Sequence, residues 1–126
     1  GSLPRGFEAA VEAGDFDAQA GIYAEDAIFS PPMAPPVRGR DSIRSMLERI
    51  TPPGATANIE SMDTGILGPD RVYDYGTVTF TFTLEGADQS QEMTSTYFAV
   101  FERTPQGWKI TREVLSLNHP PAGADQ

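Results

Sequence analysis

The segment Val72–Leu84 reads VYDYGTVTFTFTL and carries the clearest structural pattern in the chain. From Thr77 onward, threonines at odd positions alternate with apolar residues at even positions. Successive side chains of a β-strand point to opposite faces, so this alternation predicts a strand with one buried face. Glu85-Gly86 then supplies a turn. The pattern predicts that the second half of the chain forms an antiparallel sheet.

Three more segments fit the same sheet. Gln91 to Arg103 alternates like the first strand, and Trp108 to Leu117 follows a hairpin turn at residues 105–107. Ile59 to Ile66 predicts a shorter strand before them. In the last strand, Trp108, Ile110 and Arg112 share one face, whereas Glu113, Leu115 and Leu117 share the other. A β-bulge between the two sets would let each face inward at one end.

The first half of the chain follows a helical period. Three segments place apolar residues on one helix face, and Gly14 ends the first of them. We expect Asp15 and Asp41 to cap the second and third helices. Ala27–Phe29 suits a short strand, and the prolines of residues 31–36 predict a stiff loop. The three apolar faces are Phe7, Ala10 and Val11; Phe16, Ala20 and Tyr23; and Ile43, Met46, Leu47 and Ile50.

This order of elements predicts one α+β domain, with three N-terminal helices packed in the concave face of a curved, mainly antiparallel sheet. The 126 residues fit a single domain, which we place at residues 3–119. Gly1-Ser2 is interpreted as a scar of tag removal, and residues 120–126 as a flexible tail. His119, next to that tail, is interpreted as a solvated residue.

Composition narrows the function classes. Nine basic residues against 18 acidic ones give a net charge of −9, and the basic residues are scattered. Nucleic acid and anionic membranes are therefore poor partners. The chain has no cysteine and one histidine, so neither a thiolate nor a His-rich metal site is expected. With no apolar run of about 20 residues, we expect a cytoplasmic protein.

Several short motifs resemble the SnoaL-like and ketosteroid-isomerase-like families of the nuclear transport factor 2-like superfamily. The first half matches with GD at residues 14–15, IYAEDA at 22–27, PP at 31–32 and PVRGRDSI at 36–43. The second half matches with VYDYGT at 72–77, GWKI at 107–110 and Asn118. The resemblance covers nearly the whole chain. It implies a cone-shaped α+β barrel whose open end leads to a deep ligand pocket.

The resemblance also implies which reaction is absent. Ketosteroid isomerases use an aspartate base, with a tyrosine and a protonated carboxylic acid forming an oxyanion hole. The corresponding positions here hold Pro31, Phe7 and Ala99. None of these side chains can transfer or donate a proton. Isomerisation by that residue set is therefore not expected.

Other residues are candidates for proton transfer. Asp74 shares the parity of Val78 and Phe80, so the alternation turns its carboxylate toward the interior, where burial would raise its pKa. Its alternative role is a solvated carboxylate at the strand end, or one turned outward by a bulge at Gly76. Tyr97 on the next strand could polarise a ligand carbonyl, or be a core tyrosine. Arg112 or Glu113 could partner Asp74 inside the cone.

The predicted pocket lining is mostly apolar. A closed core without a cavity is the alternative to such a pocket. The predicted substrate-binding residues are Phe29, Met33, Met46, Val78, Phe80, Phe82, Phe101, Arg112 and Asn118. On the opposite sheet face, threonines surround Phe98 and Val100, and this half-apolar surface predicts a homodimer.

Two functions from different classes remain open. The first is an isomerase, cyclase or hydratase acting on a small hydrophobic cyclic or polyketide-like substrate, with Asp74 transferring protons and Tyr97 polarising. It would need neither metal nor organic cofactor. The second is a non-catalytic ligand-binding or dimerisation module of the same fold. A limonene-type epoxide hydrolase would need an Asp-Arg-Asp set, of which Asp74 and Arg112 supply only part.

Overall fold

The computed structural model describes the backbone of residues 2–118 and the side chains of residues 6–118. His119 and the predicted tail at 120–126 lie outside the described residues. The helices are α1 (Ser2–Ala13), α2 (Phe16–Ala20) and α3 (Arg40–Ile50). The strands are β1 (Tyr23–Ser30), β2 (Val37–Arg38), β3 (Thr56–Gly68), β4 (Arg71–Phe82), β5 (Gln91–Thr104) and β6 (Gly107–Leu117).

The strands form one six-stranded sheet in the order β2-β1-β6-β5-β4-β3. β1 runs parallel to β6, and the other neighbouring pairs are antiparallel. α1 packs on β3, α3 packs on β1, and α2 packs on α3. The helices thus cover the inner face of a curved, unclosed sheet, which confirms the predicted α+β cone. No helix within residues 2–118 has the length and apolarity that a bilayer crossing requires.

The local predictions for the helices are partly confirmed. Asp15 caps α2 by accepting a hydrogen bond from the Ala18 amide at 3.0 Å. The predicted cap at Asp41 is wrong: the N-cap of α3 lies two residues earlier, at Gly39, whose φ of 97° suits glycine, and the helix begins at Arg40. Asp41 lies in the first turn instead, where its charge favours the helix N-terminus.

Tyr23 belongs to β1 rather than to the second helix. That helix ends at Gly21, whose amide donates to the carbonyls of Asp17 and Ala18. β1 then begins at Tyr23, earlier than the predicted strand at residues 27–29. The two-residue strand β2, which pairs with β1, has no signal in the sequence.

The core lies between the helices and the inner sheet face. Ile43, Met46 and Leu47 of α3 are buried, as their helical spacing predicts. They pack on Ala27 and Phe29 of the sheet, among other residues. A smaller cluster joins Phe7 and Val11 of α1 to Ala55, which precedes β3.

A β-bulge at Thr111 sets the faces of β6. Phe101 of β5 pairs with Ile110, whereas its neighbour Val100 pairs with Arg112, so Thr111 is left out of the register. Ile110 on one side of the bulge and Glu113 on the other therefore both face inward. The predicted bulge in the last strand is confirmed, and it determines which charged residue enters the cone.

Candidate functional site

An apolar pocket opens between α1, α3 and the inner sheet face. Its cavity volume, taken as the space that the centre of a water molecule can reach, is about 80 Å³. One water needs roughly 10–15 Å³ of such space, so the pocket has room for several waters or a small ligand. Its lining comprises Phe7, Ile22, Tyr23, Phe29, Leu47, Ile50, Ile59, Asp74, Val78, Phe80, Tyr97, Ala99, Phe101, Ile110, Glu113 and Leu115.

Asp74 and Tyr97 form the first polar pair of the pocket. The Tyr97 hydroxyl donates a hydrogen bond to Asp74 Oδ2 at 2.9 Å, and the Ser61 hydroxyl donates to Asp74 Oδ1. Both carboxylate oxygens of Asp74 therefore already accept a hydrogen bond. Burial raises the pKa of Tyr97, and the bond to Asp74 raises it further, so the hydroxyl keeps its proton.

Glu113 and Tyr23 form the second polar pair. The hydroxyl of the buried Tyr23 donates to Glu113 Oε1 at 2.5 Å. Within the described part of the chain, Glu113 Oε2 accepts no side-chain or backbone hydrogen bond. Burial among apolar walls raises the pKa of Glu113 to about 7, against the opposing effect of the Tyr23 hydrogen bond. A carboxyl group that exchanges its proton near neutrality suits general acid/base chemistry.

The strand register places the two carboxylates in one row across the sheet. Asp74 on β4 pairs with Ala99 on β5, and Ala99 pairs with Glu113 on β6. Phe29 on β1 continues the row beyond Glu113. Ala99 is 1 % exposed, and its methyl group is the only side chain between the two acids in that row. Between Asp74 and Glu113, the floor of the pocket, meaning the inner surface of the sheet, is therefore covered only by the small Ala99 side chain.

Among the residues that the structure describes, the lining carries two acids and no basic residue. The nearby cations are used elsewhere: Arg40 Nε donates to the Tyr23 carbonyl, and Lys109 Nζ donates to the Gly21 carbonyl. The negative charge of Asp74 adds to the rise in the pKa of Glu113. The described residues contain no group of three or more His, Asp or Glu side chains that could hold a metal ion.

Most sequence-predicted site residues converge on this pocket. The predicted catalytic pair, Asp74 and Tyr97, lies within hydrogen-bonding distance across neighbouring strands. Asp74 keeps the inward parity of Val78, because the bulge near Gly76 lies on the opposite strand, where Met62 has no partner. Of the predicted substrate-binding residues, Phe29, Val78, Phe80 and Phe101 line the pocket. Phe7 and Ala99, at the positions of isomerase oxyanion-hole residues, line it too.

Three predicted apolar contacts lie outside the pocket lining. Met33 is 94 % exposed, because its φ of 61° in the proline loop directs it to solvent. Met46 is buried in the core beneath α3, since it lies one helical position away from the pocket-lining Leu47. Phe82 packs beside the cluster of Phe7 and Val11.

The predicted polar contacts Arg112 and Asn118 also lie outside. The Thr111 bulge turns Arg112 outward, where its guanidinium donates to the Thr111 carbonyl at 2.7 Å. Asn118 is exposed and accepts a hydrogen bond from Thr96 Oγ1 at 2.6 Å. Without Arg112 inside the cone, the Asp-Arg-Asp set of an epoxide hydrolase has no arginine.

Two functional candidates carry weaker sequence signals. Glu113 is one of two alternative partners for Asp74 in the sequence, and only the position of the bulge decides between it and Arg112. Tyr23 resembles part of a helix face, because it follows Phe16 and Ala20 at helical spacing and only Gly21 and Ile22 separate it from α2. An acid beside apolar Leu115 on the same strand face is the signal that points to Glu113.

The comparisons with solved structures agree with the observed fold. The comparison with curated protein sequences returns no significant match. Three solved structures share the fold at low sequence identity. A ketosteroid isomerase-like protein from Erwinia carotovora atroseptica is 15 % identical with a TM-score of 0.76, and the alignment covers 92 % of this chain and 91 % of that one. An NTF2-like protein with a cystatin-like fold from Novosphingobium aromaticivorans is 18 % identical with a TM-score of 0.76, covering 94 % of this chain and 79 % of that one. The type 2 hexachlorocyclohexane dehydrochlorinase LinA is 18 % identical with a TM-score of 0.77, covering 95 % of this chain and 84 % of that one.

The sequence also matches a family model. The model for the SnoaL-like domain aligns with residues 5–113, which include both halves of the sheet and the whole pocket lining except Leu115. With this match over most of its length and with the cone-shaped architecture described above, the chain belongs to the SnoaL-like domain family.

Proposed function

We propose that the protein is a cofactor-independent enzyme that moves a proton on a small hydrophobic cyclic substrate by general acid/base catalysis. The observation that carries this proposal is the position of Glu113, a carboxyl group whose pKa burial raises to about 7, in a pocket whose lining is mostly apolar. The proposed reaction is an isomerisation, a cyclisation or a hydration. Two structural neighbours, named as a ketosteroid isomerase-like protein and a hexachlorocyclohexane dehydrochlorinase, support an enzymatic role.

Each polar group has a defined part in the proposal. The Glu113 carboxylate takes a proton from a substrate carbon and, in an isomerisation, returns it to another position, so the protein is unchanged. Tyr23 donates to Glu113 and holds its orientation. Tyr97 polarises the substrate oxygen by turning its hydroxyl proton from Asp74 to the ligand. Asp74, the predicted proton-transfer group, is the acceptor that keeps Tyr97 in place.

Proton abstraction can be tested with a generic probe, 5-nitrobenzisoxazole. Loss of its ring C–H proton to a carboxylate breaks the N–O bond and releases a coloured cyanophenolate. We expect turnover that rises with pH through about 7, as Glu113 ionises. E113Q should lower the rate roughly 100-fold or more, the contribution typical of a general base. E85Q, which alters an exposed hairpin glutamate, is the matched control.

Equal turnover by E113Q and the wild-type protein would contradict the proposal. Turnover no faster than with free acetate would favour the second candidate function, a non-catalytic ligand-binding module. One observation favours that candidate: both tyrosine hydroxyls of the pocket already donate to a carboxylate, so neither can polarise a substrate unless it gives up that hydrogen bond.

We also propose that the chain forms a homodimer through the outer sheet face. Tyr75, Phe98 and Val114 pair in register across β4, β5 and β6, and form one exposed apolar row. Phe98 also stacks on Tyr73 at 5.4 Å between ring centroids. Contiguous apolar patches on a sheet face mark association surfaces. The cytoplasmic location expected from the sequence remains a prediction.

A further inference from the structure

We propose that the pocket takes a small apolar cyclic amine in its protonated form, with the ammonium group seated over Ala99 between Asp74 and Glu113. The proposal goes beyond the proposed function: it assigns to the same pocket a ligand that would pair with Glu113 and occupy the general base rather than react with it. It rests on that function only in taking the pocket as the ligand site.

The charges of the lining are one-sided. Asp74 and Glu113 are the only carboxylic acids among the described residues of the lining, and none of those residues is a lysine, arginine or histidine. An anionic ligand would meet two like charges in a site of low dielectric, whereas a cation would meet two opposite ones. The net charge of −9 on the chain adds attraction for cations at longer range.

The walls suit a cation with an apolar ring. Aromatic side chains surround the floor, and a cation gains from the negative faces of such rings while the apolar part of the ligand is removed from water. The aromatic lining consists of Phe7, Tyr23, Phe29, Phe80, Tyr97 and Phe101. Binding of organic ammonium ions by combined aromatic and acidic groups follows from these two effects.

The small residue Ala99 leaves space for the ammonium group between the two acids. Ala99 lies directly between the strands that carry Asp74 and Glu113, in the same row of the sheet. A larger side chain there would fill the gap between the carboxylates. Glu113 Oε2, which accepts no hydrogen bond from the described residues, is available to an ammonium donor. Both oxygens of Asp74 have donors already, so Glu113 is the primary partner and Asp74 contributes its charge.

Protonation of Glu113 makes the binding of the amine depend on pH. The titratable groups that face Glu113 are Tyr23 of β1, Asp74 of β4 and Tyr97 of β5. The two tyrosines stay neutral, because burial raises their pKa values further from neutrality. A bound ammonium favours the ionised form of Glu113 and lowers its pKa, so binding near pH 7 should release up to about half a proton.

Three probes of similar size test the ligand class. Benzylamine is cationic at pH 8, benzyl alcohol is neutral and benzoate is anionic. Binding is measured by calorimetry at pH 8, and at pH 7 in two buffers of different ionisation enthalpy. We expect benzylamine to bind roughly tenfold tighter than benzyl alcohol, with benzoate weakest, because a charge-assisted hydrogen bond is added. E113Q should abolish the preference for the amine while benzyl alcohol binding is kept.

Two further variants test where the ammonium group binds. A99V should weaken benzylamine binding, and V100A, which alters the neighbouring outward-facing position of β5, is its matched control. If A99V is poorly folded, D74N replaces it, with a smaller expected loss. Benzyl alcohol or benzoate binding as tightly as benzylamine would overturn the proposal, and so would absence of benzylamine binding.

The same samples separate this proposal from the proposed function. Turnover of 5-nitrobenzisoxazole that depends on Glu113, without preference for the amine, would overturn the amine proposal alone. Preference for the amine without any turnover would overturn the enzymatic function and leave a pocket that binds cations.

Discussion

Glu113 lies where ionisation of its carboxyl group is unfavourable. It is placed on the inner sheet face, beside Ala99 and Phe29, and its single described donor is the Tyr23 hydroxyl. A carboxyl group with a raised pKa in the folded protein holds its proton more tightly than in the unfolded chain. The folded state is then destabilised once the pH exceeds the pKa of the unfolded chain. The residue favoured for chemistry therefore weakens the fold at neutral pH.

This cost predicts the effect of E113Q on stability. From about 4.5 to about 7 the folded protein binds more protons at this site than the unfolded chain, so wild-type stability falls as pH rises through that window. The neutral amide can keep the Tyr23 hydrogen bond without the charge. E113Q should raise the free energy of unfolding at pH 8 by up to about 3 kcal/mol, given the pKa of about 7.

Urea unfolding at pH 8 and pH 5 measures this effect. The gain should shrink toward zero at pH 5, and E85Q on the exposed hairpin should show no such pH dependence. A destabilised E113Q protein at pH 8 would mean that the carboxylate is better paired than the structure shows.

At the same scale, the sequence predicts part of the site. Alternation alone places Asp74 and Tyr97 on the inner face of neighbouring strands, and both lie there. It does not choose between Glu113 and Arg112, because that choice depends on the single unpaired residue Thr111 in the register of β5 and β6. The position of a bulge depends on how the strand pairs with its neighbour, so local sequence does not specify it.

At the scale of elements, the contact between β3, β4 and β5 positions the first polar pair. Gly76 of β4 faces Tyr97 in register, and a Cβ atom there would meet the Glu60 carbonyl oxygen and lie 2.9 Å from the Tyr97 hydroxyl. The unpaired Met62 bulges β3 at the same place, which brings Ser61 onto Asp74. A glycine and a bulge together make room for the Tyr97–Asp74 hydrogen bond.

G76A should therefore destabilise the protein by about 2 kcal/mol or more, because β3 must move away from β4. G68A is the matched control, since Gly68 also lies in a strand and nothing lies within 4 Å of a Cβ atom added there. Chemical denaturation compares the two variants. Equal stability of G76A and G68A would contradict the close packing of β3 on β4.

Elements with a strong period are the ones that the sequence predicts well. The alternation of β4 and β5 and the helical spacing in α3 appear in the structure with boundaries close to those expected. β2 and the first part of β1 were not predicted, because they are held by pairing with distant strands rather than by their own pattern. Tertiary contacts decide short elements, whereas local periodicity decides long ones.

At the scale of the whole molecule, the outer row of Tyr75, Phe98 and Val114 leaves an apolar face uncovered. These side chains are 39 %, 42 % and 55 % exposed. F98D would place a charge at the centre of the proposed dimer interface. L84D, which changes a residue that is 50 % exposed in the β4–β5 hairpin, is the matched control.

Sedimentation velocity tests the proposed dimer. The wild-type protein and L84D should sediment at twice the 13.6 kDa chain mass, and F98D at the mass of one chain. A monomeric wild-type protein, or a dimeric F98D protein, would contradict the assignment of this face to dimerisation.

The proposed function depends most on one property of the fold: inside the cone, burial raises the pKa of the Glu113 carboxyl group to about 7. Titration of the Glu113 side-chain carboxyl carbon by NMR measures this property, with E113Q assigning the signal. The structure predicts a midpoint near pH 7, because burial dominates the environment of Glu113. A midpoint near 4.5, the ordinary value for a glutamate, would contradict the proposed acid/base site.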